Sequence, residues 1–201
     1  MSISTNNPIN TLIHELAKLP TVGDKTAMRL ALHILRQPVE YGQRLARALQ
    51  ETVAKVCFCE NCFNITTEKV CSICKDTNRD AKIVCVVEDI ADLQAIEKSY
   101  SFKGHYHCLH GYLSPIDGIG PDQLRVAELE TRLKNNSEIS EIILATNPNV
   151  NGDATALYIS KIIKKYNIKV TRLASGIPVG GHIEFIDQGT IARALESRVA
   201  Y

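Results

Sequence analysis

The amino-acid sequence predicts a multi-module chain of the α+β and α/β classes, in which a helical module precedes a zinc element, a mainly parallel sheet and a strand-and-helix tail. Three observations lead to this prediction. Apolar residues recur at helical spacing in the first 56 residues, cysteines crowd into the next stretch, and strand and helix patterns alternate afterwards. The predicted modules span residues 1–56, 57–80, 81–177 and 178–201.

The first module is predicted to contain three helices. The stretch Pro20-Thr21-Val22-Gly23 should end the first helix, the second should begin near Asp24, and Pro38 should open the third. The apolar positions that support them are Ile9, Leu12, Ile13, Leu16 and Leu19, then Ala27, Leu30, Ala31 and Ile34, then Leu45, Ala48, Leu49, Val53 and Val56.

The segment Leu16 to Arg29 looks like a helix-hairpin-helix element, whose tight turn presents backbone N–H groups to a phosphate without reading bases. Thr21 stands where the motif usually has its first glycine, which adds bulk beside the phosphate. Lys25 and Arg29, followed by His33 and Arg36, share one helix face. In an arbitrary protein such a face is more often simply solvated, but the preceding hairpin favours nucleic acid. The module holds seven Lys or Arg against four Asp or Glu, within a net charge of +1 for the chain.

The cysteines Cys59, Cys62, Cys71 and Cys74 form two C-x-x-C turns, and this spacing predicts one Zn²⁺ ion held by four thiolates. A site closed by four ligands has no open position for water or substrate, so a structural ion is favoured over a catalytic one. Cys57 could replace Cys59, although Cys59 makes the two turns alike. Disulfides or free thiols are the remaining alternative.

An α/β pattern begins at Lys82-Ile83-Val84-Cys85-Val86-Val87, which reads as a strand covered on both faces and ends at Glu88. Asp89 should cap the helix that follows. Further strands are predicted at 106–112, 141–146 and 168–174, and helices at about 121–135 and 152–167. Strands that alternate with helices indicate a mainly parallel sheet. The histidines at 105, 107 and 110 are expected at the surface or at a strand edge rather than as metal ligands.

Glu88 together with the stretch Ala145 to Asp153 resembles the Toprim family, in which an acid after one strand and a D-x-D-x-x-G-E stretch after another hold magnesium for phosphodiester chemistry. This chain has Asn147 and Asn149 where the two aspartates would stand, and Asp153 replaces the closing glutamate. Magnesium prefers anionic oxygens, so two neutral amides argue against metal-dependent phosphoryl transfer. An ordinary strand-to-helix loop with polar caps is the other interpretation.

The tail contains Gly176-Ile177-Pro178-Val179-Gly180-Gly181, then Ile183-Glu184-Phe185-Ile186, and a last helix from about Thr190. The glycine-rich stretch lacks the Lys-Ser/Thr of a P-loop and does not lead into a predicted helix. We therefore expect a turn followed by a strand.

These segments, in this order, resemble the RecR family of bacterial recombination mediators over nearly the whole chain. The stretches that carry the resemblance are residues 19–29, the cysteine turns, Val86-Val87-Glu88, residues 113–121 (LSPIDGIGP) and residues 176–181. The resemblance implies a DNA-repair protein without enzymatic activity that acts with RecO and RecF to help RecA load on gapped DNA coated with single-strand-binding protein. It also implies a homo-oligomer, either a dimer or a ring tetramer, that binds single- and double-stranded DNA without sequence preference. It assigns Lys25 and Arg29 to DNA and Glu88 to a partner surface.

The composition is that of an ordinary globular protein, without an apolar N-terminal run or a stretch long enough to span a membrane. We therefore expect a cytoplasmic protein, and the resemblance to the RecR family implies that it is nucleoid-associated. Two other function classes remain open at this point. One is a metal-dependent Toprim enzyme, such as a nuclease or primase-like protein, and the other is a zinc-stapled α/β protein that binds a nucleotide at the ends of its strands.

Overall fold

The computed structural model describes residues 7–198, which divide into two compact units between Val56 and Cys57. The first unit consists of three helices: α1 (Pro8–Ala17), α2 (Asp24–Arg36) and α3 (Val39–Lys55). Asn7 caps α1 by accepting a hydrogen bond from the backbone N–H of Ile9 at 3.2 Å. The three predicted helices are all present. Only Ala27 and Ala31, both on α2, are fully buried among the described residues of this unit.

The second unit begins with the cysteine segment, a short hairpin followed by one helical turn. Strands β1 (Cys57–Phe58) and β2 (Ile65–Thr66) pair antiparallel, and α4 (Ser72–Lys75) follows. These elements are too short to bury a core of their own. Their buried cluster consists of Cys59, Cys62 and Cys71.

A four-stranded parallel sheet forms the body of the second unit. Its strands are β3 (Asp80–Val87), β4 (Gly104–Cys108), β5 (Glu141–Ala145) and β6 (Lys169–Arg172), in the order β4-β3-β5-β6. The intervening helices are α5 (Ile90–Lys98), α6 (Val126–Asn135) and α7 (Val150–Ile163), with 3-10 turns at Pro121–Gln123 and Lys164–Tyr166. The predicted parallel sheet is confirmed.

The two faces of the sheet bury different side chains. Val84, Val86, Ile142 and Leu144 face α6 and α7, where they form the largest apolar cluster. Cys85, Val87, Tyr106 and Cys108 face α5, which contributes Leu93. Burial on both faces explains why residues 82–87 read as a continuous apolar run rather than an alternating one.

The tail differs from the prediction. The strand expected at 183–186 is a 3-10 turn, Ile183–Phe185, followed by α8 (Gln188–Glu196). A strand needs a neighbouring strand to take up its backbone hydrogen bonds. Here the N–H groups of Phe185 and Ile186 instead donate to His182 and Ile183, three residues back in each case. The preceding glycine-rich stretch forms a turn, with Gly180 at φ +82°.

Candidate zinc centre and nucleic-acid interface

The four cysteines of the two C-x-x-C turns converge on one point. The sulfurs of Cys59, Cys62, Cys71 and Cys74 all lie within 4.8 Å of one another, and the first three residues are buried. Zn–S bonds of about 2.3 Å require sulfurs about 3.8 Å apart in a tetrahedron. The Cys62 and Cys71 sulfurs are 3.5 Å apart, so the donor set fits a zinc ion. Cys57 is exposed, lies outside this group, and directs its sulfur to the Glu68 carbonyl at 3.5 Å.

Backbone hydrogen bonds within the segment fix the conformation of the two cysteine turns. The first turn closes when the N–H of Phe63 donates to the Cys59 carbonyl at 2.9 Å, and Phe63 adopts a left-handed conformation at φ +62°. The second turn starts α4, where the N–H of Cys71 points at the Cys59 sulfur at 3.3 Å. The hydrogen bond between the two sulfurs lowers the pKa of the Cys71 thiol and raises that of Cys62, because the pair shares a proton in the absence of metal.

The turn between α1 and α2 keeps the hairpin geometry without the usual glycine. Thr21 takes the left-handed conformation itself, at φ +66°, which is a region that favours glycine. Gly23 is the N-cap residue directly before α2, at φ −87°, and a Cβ there would meet nothing within 4 Å. The chain's own packing therefore does not require glycine at position 23, and the start of α2 is open to an outside group.

Lys25 and Arg29 are exposed on α2, followed on the same helix by Arg36. None of the three forms an ion pair within residues 7–198. Asp24 occupies the first turn of the helix, so attraction for a phosphate depends on these cations rather than on the helix dipole alone. An uncompensated basic face of this kind can contact a phosphate backbone without base readout.

Glu88 lies at the carboxyl end of β3, but its side chain is only 3 % exposed. Its two oxygens accept hydrogen bonds from Asn147, from the backbone N–H at 2.9 Å and from Nδ2 at 2.5 Å. Gly152 packs tightly against both Asn147 and Glu88. A Cβ at position 152 would lie 2.0 Å from the Asn147 carbonyl oxygen and 2.8 Å from Oε1 of Glu88. Glu88 thus supports the loop from Asn147 to Gly152 from inside rather than presenting its own carboxylate.

Asp153, the other acid of this region, is paired with two arginines. Its carboxylate accepts from Arg172 at the end of β6 and, at 2.9 Å, from Arg193 of α8. The Arg172 contact, followed by the charges of both arginines, lowers the pKa of Asp153. A magnesium site would need free carboxylates at this edge of the sheet, and both Glu88 and Asp153 are engaged by groups of the chain.

Some contacts of the site have no sequence signal. His107 lies on the edge strand β4, but it is fully buried because Phe63 of the zinc segment packs edge-on against it, with ring centroids 5.4 Å apart. Arg193 joins the tail to Asp153 across 40 residues. In residues 7–198 there is no helix of the length and apolarity that crossing a membrane requires.

Family models match the chain in four consecutive segments. They are described as the RecR helix-hairpin-helix (residues 9–53), the RecR four-cysteine zinc finger domain (56–76), the Toprim domain (82–174) and the RecR C-terminal segment (176–199). The zinc finger match and the sulfur geometry agree, and the chain carries a structural zinc ion.

Full-length relatives carry the name "Recombination protein RecR". The protein from Myxococcus xanthus is 53 % identical over 194 residues, covering 96 % of this chain and 98 % of the relative. The protein from Streptomyces coelicolor is 52 % identical, covering 94 % and 95 %. The protein from Chlorobium limicola is 49 % identical, covering 98 % of both.

Proposed function

Because the chain belongs to the RecR family of recombination proteins, we propose that it is a non-enzymatic mediator of recombinational DNA repair that binds DNA through Lys25 and Arg29. It acts with RecO and RecF to help RecA load on gapped single-stranded DNA coated with single-strand-binding protein. The observation that carries the DNA-binding part is the uncompensated basic face of α2 directly after the hairpin turn. This face suits single- and double-stranded DNA alike, because it meets phosphates rather than bases.

Self-association completes the proposed binding mode. Helix α3 has no buried residue, and its apolar side chains remain open, with Leu49 62 % and Val53 85 % exposed. An amphipathic helix in this state suits contact with a second copy of the chain. A dimer or ring tetramer would combine several weak phosphate contacts, so that the assembly binds DNA more tightly than a single subunit does. The basic pair of each subunit would then contribute to a shared DNA-binding surface.

The partner surface is proposed at the carboxyl edge of the sheet. Glu88 is buried, so its part is to hold the loop Asn147–Gly152 in place, and exposed residues such as Asn149 and Val150 of that loop would meet the partner protein. RecO is the partner proposed for this surface, and RecF joins the same assembly. The paired state of Glu88 and Asp153 also disfavours a metal-dependent nuclease or primase.

A loading assay tests the proposal. RecA is added to gapped DNA coated with single-strand-binding protein, in the presence of RecO and this protein, and RecA filament formation is followed by its DNA-dependent ATP hydrolysis. We expect loading with the natural chain and a strong loss with K25A/R29A. The control K161A/K164A removes the same charge from exposed lysines of α7 and the turn that follows it, and should load normally. Equal loading by K25A/R29A would contradict the proposed role of the pair, and magnesium-dependent cutting of the DNA would favour an enzyme.

A further inference from the structure

The zinc site carries a charge that its own segment does not neutralise. A Zn²⁺ ion bound by four thiolates is a net anion, and three of the four cysteines are buried. Burying an uncompensated charge is unfavourable, because the charge loses its hydration. Within residues 57–76 the exposed lysines are Lys69 and Lys75, and Lys75 is already paired with Glu68. Among the described residues neither lysine side chain donates a hydrogen bond to the cysteine turns, so a cation in contact with them comes from outside the segment.

Arg132 of α6 supplies a cation from a distant part of the chain. Its Nη1 donates to the carbonyl of Asn61 at 3.2 Å and to the carbonyl of Tyr106 at 2.6 Å. Asn61 lies inside the first C-x-x-C turn, so the guanidinium touches the backbone between two zinc ligands. No acidic side chain forms an ion pair with Arg132 anywhere in residues 7–198.

Electrostatics support the same assignment. Burial lowers the pKa of Arg132, and the charges of Cys74, Cys62, Cys59 and Cys71 oppose this effect. Negative charge on the cysteine cluster therefore favours the protonated guanidinium. An attraction between groups withdrawn from water is screened less than one at the surface.

The contact of Arg132 is one of three that hold consecutive carbonyls of the first turn. The N–H of Cys108 donates to the Cys62 carbonyl at 2.8 Å, and Nε2 of His110 lies 2.8 Å from the Phe63 carbonyl. With Arg132 on Asn61, residues 61–63 are fastened to β4, to the residues just after it and to α6. The position of the first pair of ligands thus depends on the parallel sheet.

We propose that Arg132 is a positioning residue of the zinc centre, which stabilises the zinc–thiolate anion by its charge and holds the first cysteine turn against β4. Zinc affinity is then a property of the whole second unit rather than of the cysteine segment alone. Partners of metal ligands that do not touch the metal commonly change metal affinity about 10- to 100-fold when they are removed. This inference concerns the zinc site and does not depend on the proposed DNA binding.

The surroundings of Arg132 also make zinc exchange measurable. A cleft of about 490 Å³ lies beside the guanidinium, and its lining includes Glu60, Cys74, His105, Glu128 and Arg132. Cys74 is the least buried of the four ligands. A competing chelator in solution should therefore reach the metal from this side.

The test compares R132Q, R132K and the natural chain, each loaded with zinc, in competition with a coloured chelator. Glutamine keeps an N–H donor but removes the charge, whereas lysine keeps the charge. We expect R132Q to bind zinc about 10-fold more weakly and R132K to stay within about threefold of the natural chain. The control K134M removes an exposed charge from the same helix, paired with Glu130, and should leave zinc affinity unchanged. Cobalt absorption spectra of all variants check that four thiolates still bind the metal.

Unchanged zinc affinity in R132Q would overturn the proposal. So would an R132K variant as weak as R132Q, since charge would then have no effect. If R132Q fails to fold, refolding it with excess zinc decides the matter. Rescue by zinc supports the proposal, whereas failure that zinc does not relieve assigns Arg132 to the sheet alone and overturns it.

Discussion

Replacing Glu88 with alanine tests whether this buried acid stabilises the loop from Asn147 to Gly152 or serves as a metal ligand. The substitution removes both acceptors of Asn147, which lie at 2.9 Å from its backbone N–H and 2.5 Å from Nδ2. A hydrogen bond to a charged group contributes about 1.5–3 kcal/mol, and water can partly replace the lost partner because Asn147 is exposed. We therefore expect the free energy of unfolding to fall by about 3 kcal/mol. For a chain of this size that corresponds to a decrease of roughly 6–12 °C in the unfolding midpoint.

The matched control is E88Q, which keeps the volume and one carbonyl oxygen. Rotation of the Asn147 amide restores the second contact, so E88Q should lose only about 1 kcal/mol. Thermal unfolding followed by circular dichroism measures both variants, with and without millimolar magnesium. The reasoning fails if E88A unfolds at the natural midpoint. It also fails if magnesium stabilises the natural chain but not E88Q, because Glu88 would then be a metal ligand.

Three further predictions concern the same unit. G152A should unfold at a much lower temperature than the natural chain, or fail to fold, because its Cβ would lie 2.0 Å from the Asn147 carbonyl oxygen. The control G118A places a Cβ at an open position with left-handed backbone, and its unfolding temperature should fall much less. Thermal unfolding of the two variants measures the difference. D153N should be less stable at neutral pH. Since the arginines lower the folded-state pKa of Asp153, this stabilisation is present above the ordinary pKa and is lost as pH falls through the lowered folded-state pKa. The unfolding midpoints of D153N and the natural chain should therefore converge as the carboxylate becomes protonated in acid, and a gap that stays constant would contradict the assignment. C71S should release zinc and loosen residues 57–76 in hydrogen exchange, whereas C57S should retain the metal; zinc content measured by atomic absorption separates them.

Sequence patterns were sufficient to predict those features that depend on the spacing of residues along the chain. The two C-x-x-C turns predicted the zinc ligands because the donors of each pair are neighbours, and the structure brings all four sulfurs together. The apolar run at residues 82–87 predicted a strand buried on both faces, which is β3. Local periodicity records which faces an element buries, so these elements could be predicted without their partners.

The remaining features depend on contacts between residues far apart in the sequence. Glu88 and Asn147 are 59 positions apart. The sequence therefore shows an acid after a strand, but it does not show that Asn147 donates hydrogen bonds to that acid. The predicted tail strand at 183–186 was wrong because apolar composition does not reveal whether a neighbouring strand is available. Thr21 shows a third limit. A left-handed turn residue is expected to be glycine, yet the hairpin imposes φ +66° on a threonine.

The salt dependence of DNA binding tests the central claim, which is that the α2 face meets phosphates. Fluorescence anisotropy with labelled single- and double-stranded DNA is measured between about 50 and 200 mM salt for the natural chain, K25A/R29A and K161A/K164A. We predict sequence-independent binding whose dependence on salt becomes weaker in K25A/R29A, by roughly one unit of the logarithmic slope for each lost phosphate contact. K161A/K164A should keep the natural slope. A K25A/R29A variant with natural affinity and slope would contradict the account.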